Sequence, residues 1–318
     1  MALVPAIQEF LQIVEQSKQR LLAQKFKMNQ SNTREALANM TRSYVTNYPT
    51  DLRIIDDSIN NDGYPVPIRI YIPAGAGDVQ FKVGLFIHGG GHMCGSITVY
   101  DGIVRHLAQA TNTIIVAVDY RLAPEFAYPV GLNDYATVMV NLFPVLDEWQ
   151  INYRSRELIL IGDSGGAALC ATLTLDRELV RRAKIVTQVL IYPSLDYTLA
   201  SPGIAEFGEG YLLEKTKISW YFDNYFQHGE DRKALSPVYG KFYPQMPRSL
   251  VITAQYDPLH SEGESYYDKL CAAGVEAKLS KIPGVIHAFL MLENLCPQEC
   301  QESYRQIAEF IHSVGSKE

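Results

Sequence analysis

Ser164 stands in Gly162-Asp163-Ser164-Gly165-Gly166, between the apolar run Leu158-Ile159-Leu160-Ile161 and the helix-prone run Ala167-Ala168-Leu169-Cys170-Ala171-Thr172-Leu173. This reads as a strand, a tight turn and a helix. The serine hydroxyl is then exposed on a strained elbow, with a glycine two residues to either side where a Cβ would clash. Such a hydroxyl attacks a carbonyl only if a base takes its proton and a carboxylate orients the base. Both follow downstream, in order. Asp257 comes just after Leu250-Val251-Ile252-Thr253-Ala254, at the C-terminal end of an expected strand. His287 follows the strand-like residues 277–282 and an expected loop, Pro283-Gly284-Val285-Ile286. In an open α/β sheet the ligand crevice lies at the carboxyl ends of the strands, so Ser164, Asp257 and His287 are expected to converge there as a triad.

A second motif supplies what the attack would need next. His88-Gly89-Gly90-Gly91 directly follows the strand-like Val83-Gly84-Leu85-Phe86-Ile87. Attack on an ester creates an oxyanion, and consecutive glycines let backbone N–H groups turn toward it; loss of one such donor costs on the order of 10² to 10³ in rate. Gly90, Gly91 and Gly165, the residue after the nucleophile, are the expected donors, with Gly89 needed for the turn. His88 is expected to fix the glycine loop. His88 and His92 are not expected to bind metal, because no cysteine or carboxylate cluster of metal-site spacing accompanies them. Asp163 either tunes the elbow or caps the following helix.

With these motifs the chain resembles the hormone-sensitive-lipase-like esterases of the α/β-hydrolase fold. The glycine loop at 88–91 matches, as does Asp119-Tyr120-Arg121-Leu122-Ala123-Pro124-Glu125 followed by Tyr128-Pro129 and Asn133-Asp134. Asp257-Pro258-Leu259 with Glu262-Gly263 is similar to that family's acid loop, and His287-Ala288-Phe289 to its histidine loop. The order serine, aspartate, histidine is the one expected of an α/β-hydrolase, and it excludes the chymotrypsin-like arrangement, where histidine comes first and serine last. The resemblance spans roughly residues 80 to 290. It implies that Arg121 and Glu125 brace the loop beneath the site. Three departures stand out. The elbow continues Gly165-Gly166-Ala167-Ala168 where the family commonly has Ala-Gly-Gly-Asn, His92 occupies a usually aromatic position, and Ser261 stands where a second aspartate is common.

The 318-residue chain is 47% hydrophobic, enough for a single α/β domain with a small appendage. A formal net charge of −7 disfavours nucleic acid, and the basic groups Arg181-Arg182 and 215–217 read as solvated helix faces. No stretch approaches the ~18 apolar residues of a membrane span, and the first residues lack a basic segment followed by an apolar block. A soluble, cytoplasmic protein is expected, with its five cysteines reduced. Cys296 and Cys300 would share one face if helical.

Leu3, Ile7, Phe10, Leu11, Val14 and Leu21 recur at helical spacing, so one or two amphipathic helices are expected in the first thirty or so positions, before a polar stretch at 29–34. Strands are expected near 52–59, 66–72, 82–87, 113–118, 157–161, 185–192, 249–254 and 276–282. Asn60-Asn61-Asp62-Gly63 is the turn between the first two, and helices are expected near 129–147 and 298–313. The alternation implies an α/β fold, a mostly parallel central sheet with helices on both faces. The expected division is cap helices in 1–50, a catalytic domain in 51–193 and 236–318, and an inserted helical cap in 194–235. That insertion holds Phe207, Tyr211, Leu212, Leu213, Trp220, Tyr221, Phe222, Tyr225 and Phe226, which as a group favour an apolar pocket over Ser164.

The expected function is hydrolysis of small apolar esters, short- to medium-chain acyl or aryl, by a serine carboxylesterase needing no metal or organic cofactor. Amide or lactone hydrolysis and acyl transfer remain open on the same triad. Plant hormone receptors that resemble this family lack the catalytic histidine, whereas His287 is present here. The expected partner is the small ester alone, with no nucleic acid and no membrane span; a homodimer stays open.

Overall fold

The computed structural model describes residues 2–75 and 80–313. Eight strands form one sheet: β1 (Arg53–Asn61), β2 (Tyr64–Ile72), β3 (Phe81–Ile87), β4 (Ile114–Val118), β5 (Tyr153–Asp163), β6 (Ile185–Ile191), β7 (Arg248–Tyr256) and β8 (Ala277–Ile286). Their spatial order is β1-β2-β4-β3-β5-β6-β7-β8. The hairpin β1–β2 and the β2–β4 pair are antiparallel and all later pairs are parallel, so the expected mostly parallel sheet is found. The helices are α1 (Pro5–Ala23), α2 (Gln30–Tyr44), α3 (Ile97–Thr111), α4 (Val130–Glu148), α5 (Gly165–Leu175), α6 (Arg177–Ala183), α7 (Pro202–Phe207), α8 (Lys215–Tyr225), α9 (Arg232–Leu235), α10 (His260–Ala272) and α11 (Pro297–His312).

The central strands are covered on both faces, which is why they read as continuous apolar runs; every residue of β4 is buried. Side chains alternate between two cores. Val83, Leu85 and Ile87 of β3 meet α4 and α5 on one face, while Phe86 meets α3 and α11 on the other. Ile7 and Phe10 join the second core, but α1 projects beyond it and Leu21 is exposed, so the N-terminal apolar stripe ends at Val14. A third cluster of Tyr197, Ile204, Ile218, Phe222 and Phe226 packs α7 and α8 above the carboxyl ends of the strands. Among the described residues, no helix is long and apolar enough to cross a membrane.

Two segments differ from expectation for local reasons. Helix α2 begins inside the stretch that reads as a polar connection. There Asn29 accepts the Asn32 N–H at 3.0 Å and Asn32 accepts the Asn29 N–H at 2.9 Å, a reciprocal cap that starts a helix. The loop expected at 283–286 is instead the end of β8, which runs to Ile286. Its register against β7 shifts between Ala254 and Tyr256, and an edge strand with such an irregularity tolerates Pro283, which has no N–H to give.

The turn from β5 to α5 presses on the end of β3. A Cβ on Gly166 would lie 2.0 Å from the Ile87 carbonyl oxygen, and one on Gly162 would lie 2.7 Å from the Gly166 carbonyl carbon. No side chain fits at either place. At Gly165 the nearest atom to such a Cβ would be the His92 nitrogen at 3.3 Å, a tight contact that a small shift relieves. Gly166→Ala is therefore expected to cost about 3 kcal/mol or more, and Gly165→Ala well under half of that. Urea unfolding midpoints at unchanged slope measure the difference, and equal midpoints would contradict the close approach.

Candidate active site

Ser164 is the residue that joins β5 to α5, and its backbone is forced: φ is 51° and ψ is −119°. A non-glycine residue at positive φ costs on the order of 1–3 kcal/mol, so its surroundings must hold it. They do so through the backbone. The Ser164 N–H donates to the Ile191 carbonyl at 2.9 Å, and its own carbonyl accepts from Ala168 at 3.1 Å and Ser194 at 3.2 Å.

The three residues picked from the sequence meet. Ser164 Oγ lies 2.9 Å from His287 Nε2, and His287 Nδ1 lies 2.8 Å from Asp257 Oδ2. An imidazole whose Nδ1–H is engaged by a carboxylate presents Nε2 as an acceptor, so the serine hydroxyl donates to it. Asp257 is fully buried and His287 nearly so. The carboxylate also starts the next helix: its Oδ1 accepts the Leu259 N–H at 2.8 Å, while Leu259 itself is the residue preceding α10. The two oxygens thus divide the two jobs an aspartate at this position does. Tyr192 stacks edge-on against the His287 ring, with centroids 5.1 Å apart, and fixes its plane.

Gly90 and Gly91 carry positive φ values of 105° and 62° and line the same cavity as Ser164 and Gly165. The backbone N–H groups of Gly90, Gly91 and Gly165 donate to no acceptor among the described residues. The Gly165 N–H also opens α5, where the helix dipole favours negative charge. Asp163 resolves its two open roles in favour of the elbow. Its Oδ1 accepts the Gly89 N–H at 2.7 Å and its Oδ2 the Tyr100 hydroxyl at 3.1 Å, tying the serine turn to the glycine loop, and it does not cap α5. Burial pushes its carboxyl up to about 7, against the hydrogen bonds from Gly89 and Tyr100 that favour the ionised form.

His88 is buried, its ring 4.5 Å from that of Tyr120, with Nδ1 2.9 Å from the Gly89 carbonyl. It is a structural support, as expected. His92 stacks on Tyr225 at 4.0 Å between centroids, and burial lowers its pKa to about 3. A neutral imidazole therefore does the work of the aromatic ring the family usually places there. Arg121 grips Asp134 through Nη2 at 2.7 Å and Nε at 3.0 Å, and Glu125 pairs with Arg34 of α2 at 2.6 Å. Arg34 also donates to the carbonyls of Met93 and Ala123, so the Glu125 pair acts beside the glycine loop, whereas Arg121 braces the start of α4 through Asp134. Ser261 Oγ accepts the Gly203 N–H at 2.9 Å and anchors α7 instead of supplying a second carboxylate.

A model of the α/β-hydrolase fold family matches residues 84–291. The chain belongs to the α/β-hydrolase family. Among its relatives, an ethyl acetate hydrolase of Pseudomonas putida is 30% identical over 264 residues, covering 79% of each chain. An arylesterase of Saccharolobus solfataricus is 30% identical over 239 residues, 74% of this chain and 76% of that one. Among solved structures, a hyperthermophilic esterase from the archaeon Pyrobaculum calidifontis superposes with a TM-score of 0.85 at 29% identity, over 98% of each chain.

In this α/β-hydrolase the wall around Ser164 is a cavity of about 180 Å³. Leu37 and Met40 come from α2, and Leu213, Ile218, Tyr221 and Phe222 from residues 213–222. Only part of the aromatic group expected to line it does so. Tyr221 and Phe222 face the cavity, whereas Trp220 packs against the third cluster and Tyr225 against His92. The reading of residues 215–217 as a solvated face is also corrected at one position, because Lys217 turns inward and lines the cavity. Two supports escaped sequence reasoning. Tyr100 and Tyr192 are ordinary helix and apolar-strand residues by pattern, and only the Tyr100 hydroxyl on Asp163 and the Tyr192 ring against His287 reveal a role.

A carboxyl raised in the folded state retains a proton that the unfolded chain releases. Asp163 thus contributes stability at acid pH that is lost as pH rises from the ordinary carboxylate range through about 7. Asp163→Asn keeps an acceptor for the Gly89 N–H without the titration. Relative to the wild type, this variant is expected to become progressively more stable between pH 5 and 8, read as the difference in melting temperature. A difference independent of pH would contradict the raised carboxyl.

Proposed function

We propose that this chain is a serine carboxylesterase acting on small apolar esters. The observation that carries the reading is the continuous relay from Ser164 Oγ through the His287 ring to Asp257, opening onto three free backbone N–H groups in an apolar cavity. The names of the relatives support the ester as substrate.

In the proposed reaction His287 Nε2 takes the Ser164 proton as Oγ attacks the ester carbonyl. Negative charge then forms on the carbonyl oxygen, within reach of the N–H groups of Gly90, Gly91 and Gly165. Such donors act most strongly in a site without water, where they need no reorganisation as charge develops. The imidazolium gives its proton to the departing alcohol while Asp257 stays ionised and steadies it. Water enters by the same route: His287 deprotonates it as it attacks the acyl-enzyme carbonyl, and the imidazolium then returns the proton to Ser164 Oγ as the acyl–oxygen bond breaks and the acid leaves. The buried Asp257, held by Leu259, cannot turn away from the ring during this cycle. The apolar wall favours hydrocarbon acyl or aryl groups, since each buried methylene contributes about 0.8 kcal/mol.

Ser164→Ala is expected to fold normally and to lose at least about 10³ in kcat/KM on p-nitrophenyl butyrate. Retention of most activity would remove Ser164 as nucleophile. One amide and one lactone, assayed beside the ester, fix the acyl bond cleaved. The wall makes a separate prediction. Phe222→Ala is expected to shift the preferred acyl length over a C2–C12 ester series, whereas Trp220→Ala, outside the cavity, is expected to leave the order of preference intact. Identical profiles for the two variants would detach the cavity from acyl selection.

A further inference from the structure

Lys217 lines the cavity that holds Ser164, among Leu37, Leu213, Ile218 and Phe222. Its ammonium makes no hydrogen bond and no ion pair among the described residues; its recorded neighbour is the Tyr221 ring, 5.8 Å from Nζ to the centroid. That ring packs directly on the glycine loop, since a Cβ on Gly91 would lie 2.5 Å from Tyr221 Cγ. The ammonium is thus one side chain away from the expected oxyanion donors.

The charges that would neutralise it are committed elsewhere. Glu214, three residues earlier, holds Lys18 with both carboxylate oxygens at 2.7 and 2.8 Å. Asp163 spends its oxygens on Gly89 and Tyr100. The Cys94 thiol is pushed by burial up to about 11 and so stays neutral, and His92 is neutral as well. Glu125 is paired with Arg34 of α2. Desolvation lowers the Lys217 pKa, opposed by Glu214. An ammonium kept in an apolar cavity without a partner is costly unless something that enters the cavity supplies one.

We propose that Lys217 is a specificity-determining residue that selects esters carrying a second, ionised carboxylate, as in a half-ester of a dicarboxylic acid. This rests on the esterase reading. The apolar wall receives the hydrocarbon between the two carbonyl groups, Ser164 attacks the ester end, and Lys217 receives the free carboxylate. A site built to pair a substrate group discriminates against the analogue lacking it, because its own polar group is then left desolvated.

The test compares monoethyl adipate with ethyl hexanoate, which share a six-carbon acyl chain and differ in the terminal carboxylate, with acid release followed by titration. The readout is the ratio of the two kcat/KM values within each enzyme, which cancels any general loss of activity. Lys217→Met is expected to lower the adipate-to-hexanoate ratio by about tenfold or more, the scale of a charge-assisted hydrogen bond, and Lys217→Arg to retain most of it. Lys217→Gln serves equally if the methionine variant does not fold. A ratio unchanged in both neutral variants would overturn the proposal, and Lys217 would then be a stem packed on Tyr221. If the wild type hydrolysed neither ester, the esterase reading itself would fail and this inference with it; hydrolysis of ethyl hexanoate with an unmoved ratio defeats the inference alone.

Discussion

The whole site depends on how closely two backbone turns approach. The serine turn after β5 rests on the end of β3 with no side chain between them, at Gly166 against the Ile87 carbonyl. Three residues before Gly166 in the one turn and two residues past Ile87 in the other, the Asp163 carboxylate receives the Gly89 N–H. The first contact fixes the distance between the serine and the glycine loop, and the second fixes their relative orientation. Because both belong to adjacent parallel strands, any movement of Ser164 carries the glycine loop with it. That is the condition under which fixed dipoles stabilise charge without being paid for again by reorganisation.

The same logic explains why a strained serine and a buried carboxyl coexist at one corner. The positive φ of Ser164 is held by three backbone hydrogen bonds to β6 and α5 and the segment after β6. The raised carboxyl of Asp163 is tolerated because it ties the serine turn to the glycine loop. Strain and desolvation of this kind persist only where the surrounding elements over-determine them. Here those elements are the central strands, buried from Val83 in β3, from Leu158 in β5 and from Thr187 in β6.

Much of this was legible in the sequence because strand-end chemistry is local. Ser164, Asp257 and His287 each follow an apolar run, and the chain order alone sorted the fold from its rivals. The α/β alternation was read strand by strand for the same reason, and the family match bears out the resemblance drawn from the motifs. What escaped depends on which way a side chain faces after folding. Lys217 reads as one of a basic cluster on a solvated helix, yet a rotation of about 100° per residue separates it from the exposed Lys215 and Thr216. Trp220 and Phe222 are indistinguishable by composition, and only the seating of α8 on the third cluster turns one inward to the cavity and the other away. Helix α2 was hidden because asparagines that cap a helix look, in sequence, like a polar linker.

The two halves of the cavity are built by different forces. Its floor is sheet and elbow, held by backbone ladders and close packing that no single side chain can release. Its roof is α2 and α8, joined to each other by Gln30 on Asn224 at 2.9 Å and to α1 by Lys18 on Glu214. A surface ion pair such as Lys18–Glu214 contributes about 0–1 kcal/mol and a side-chain hydrogen bond such as Gln30–Asn224 a similar amount, so the roof is the softer half, and Leu37, Met40 and Phe222 hold it down by apolar contact. With Ser164 on the rigid side and the apolar wall on the soft side, the wall can shift without disturbing the distances at Ser164.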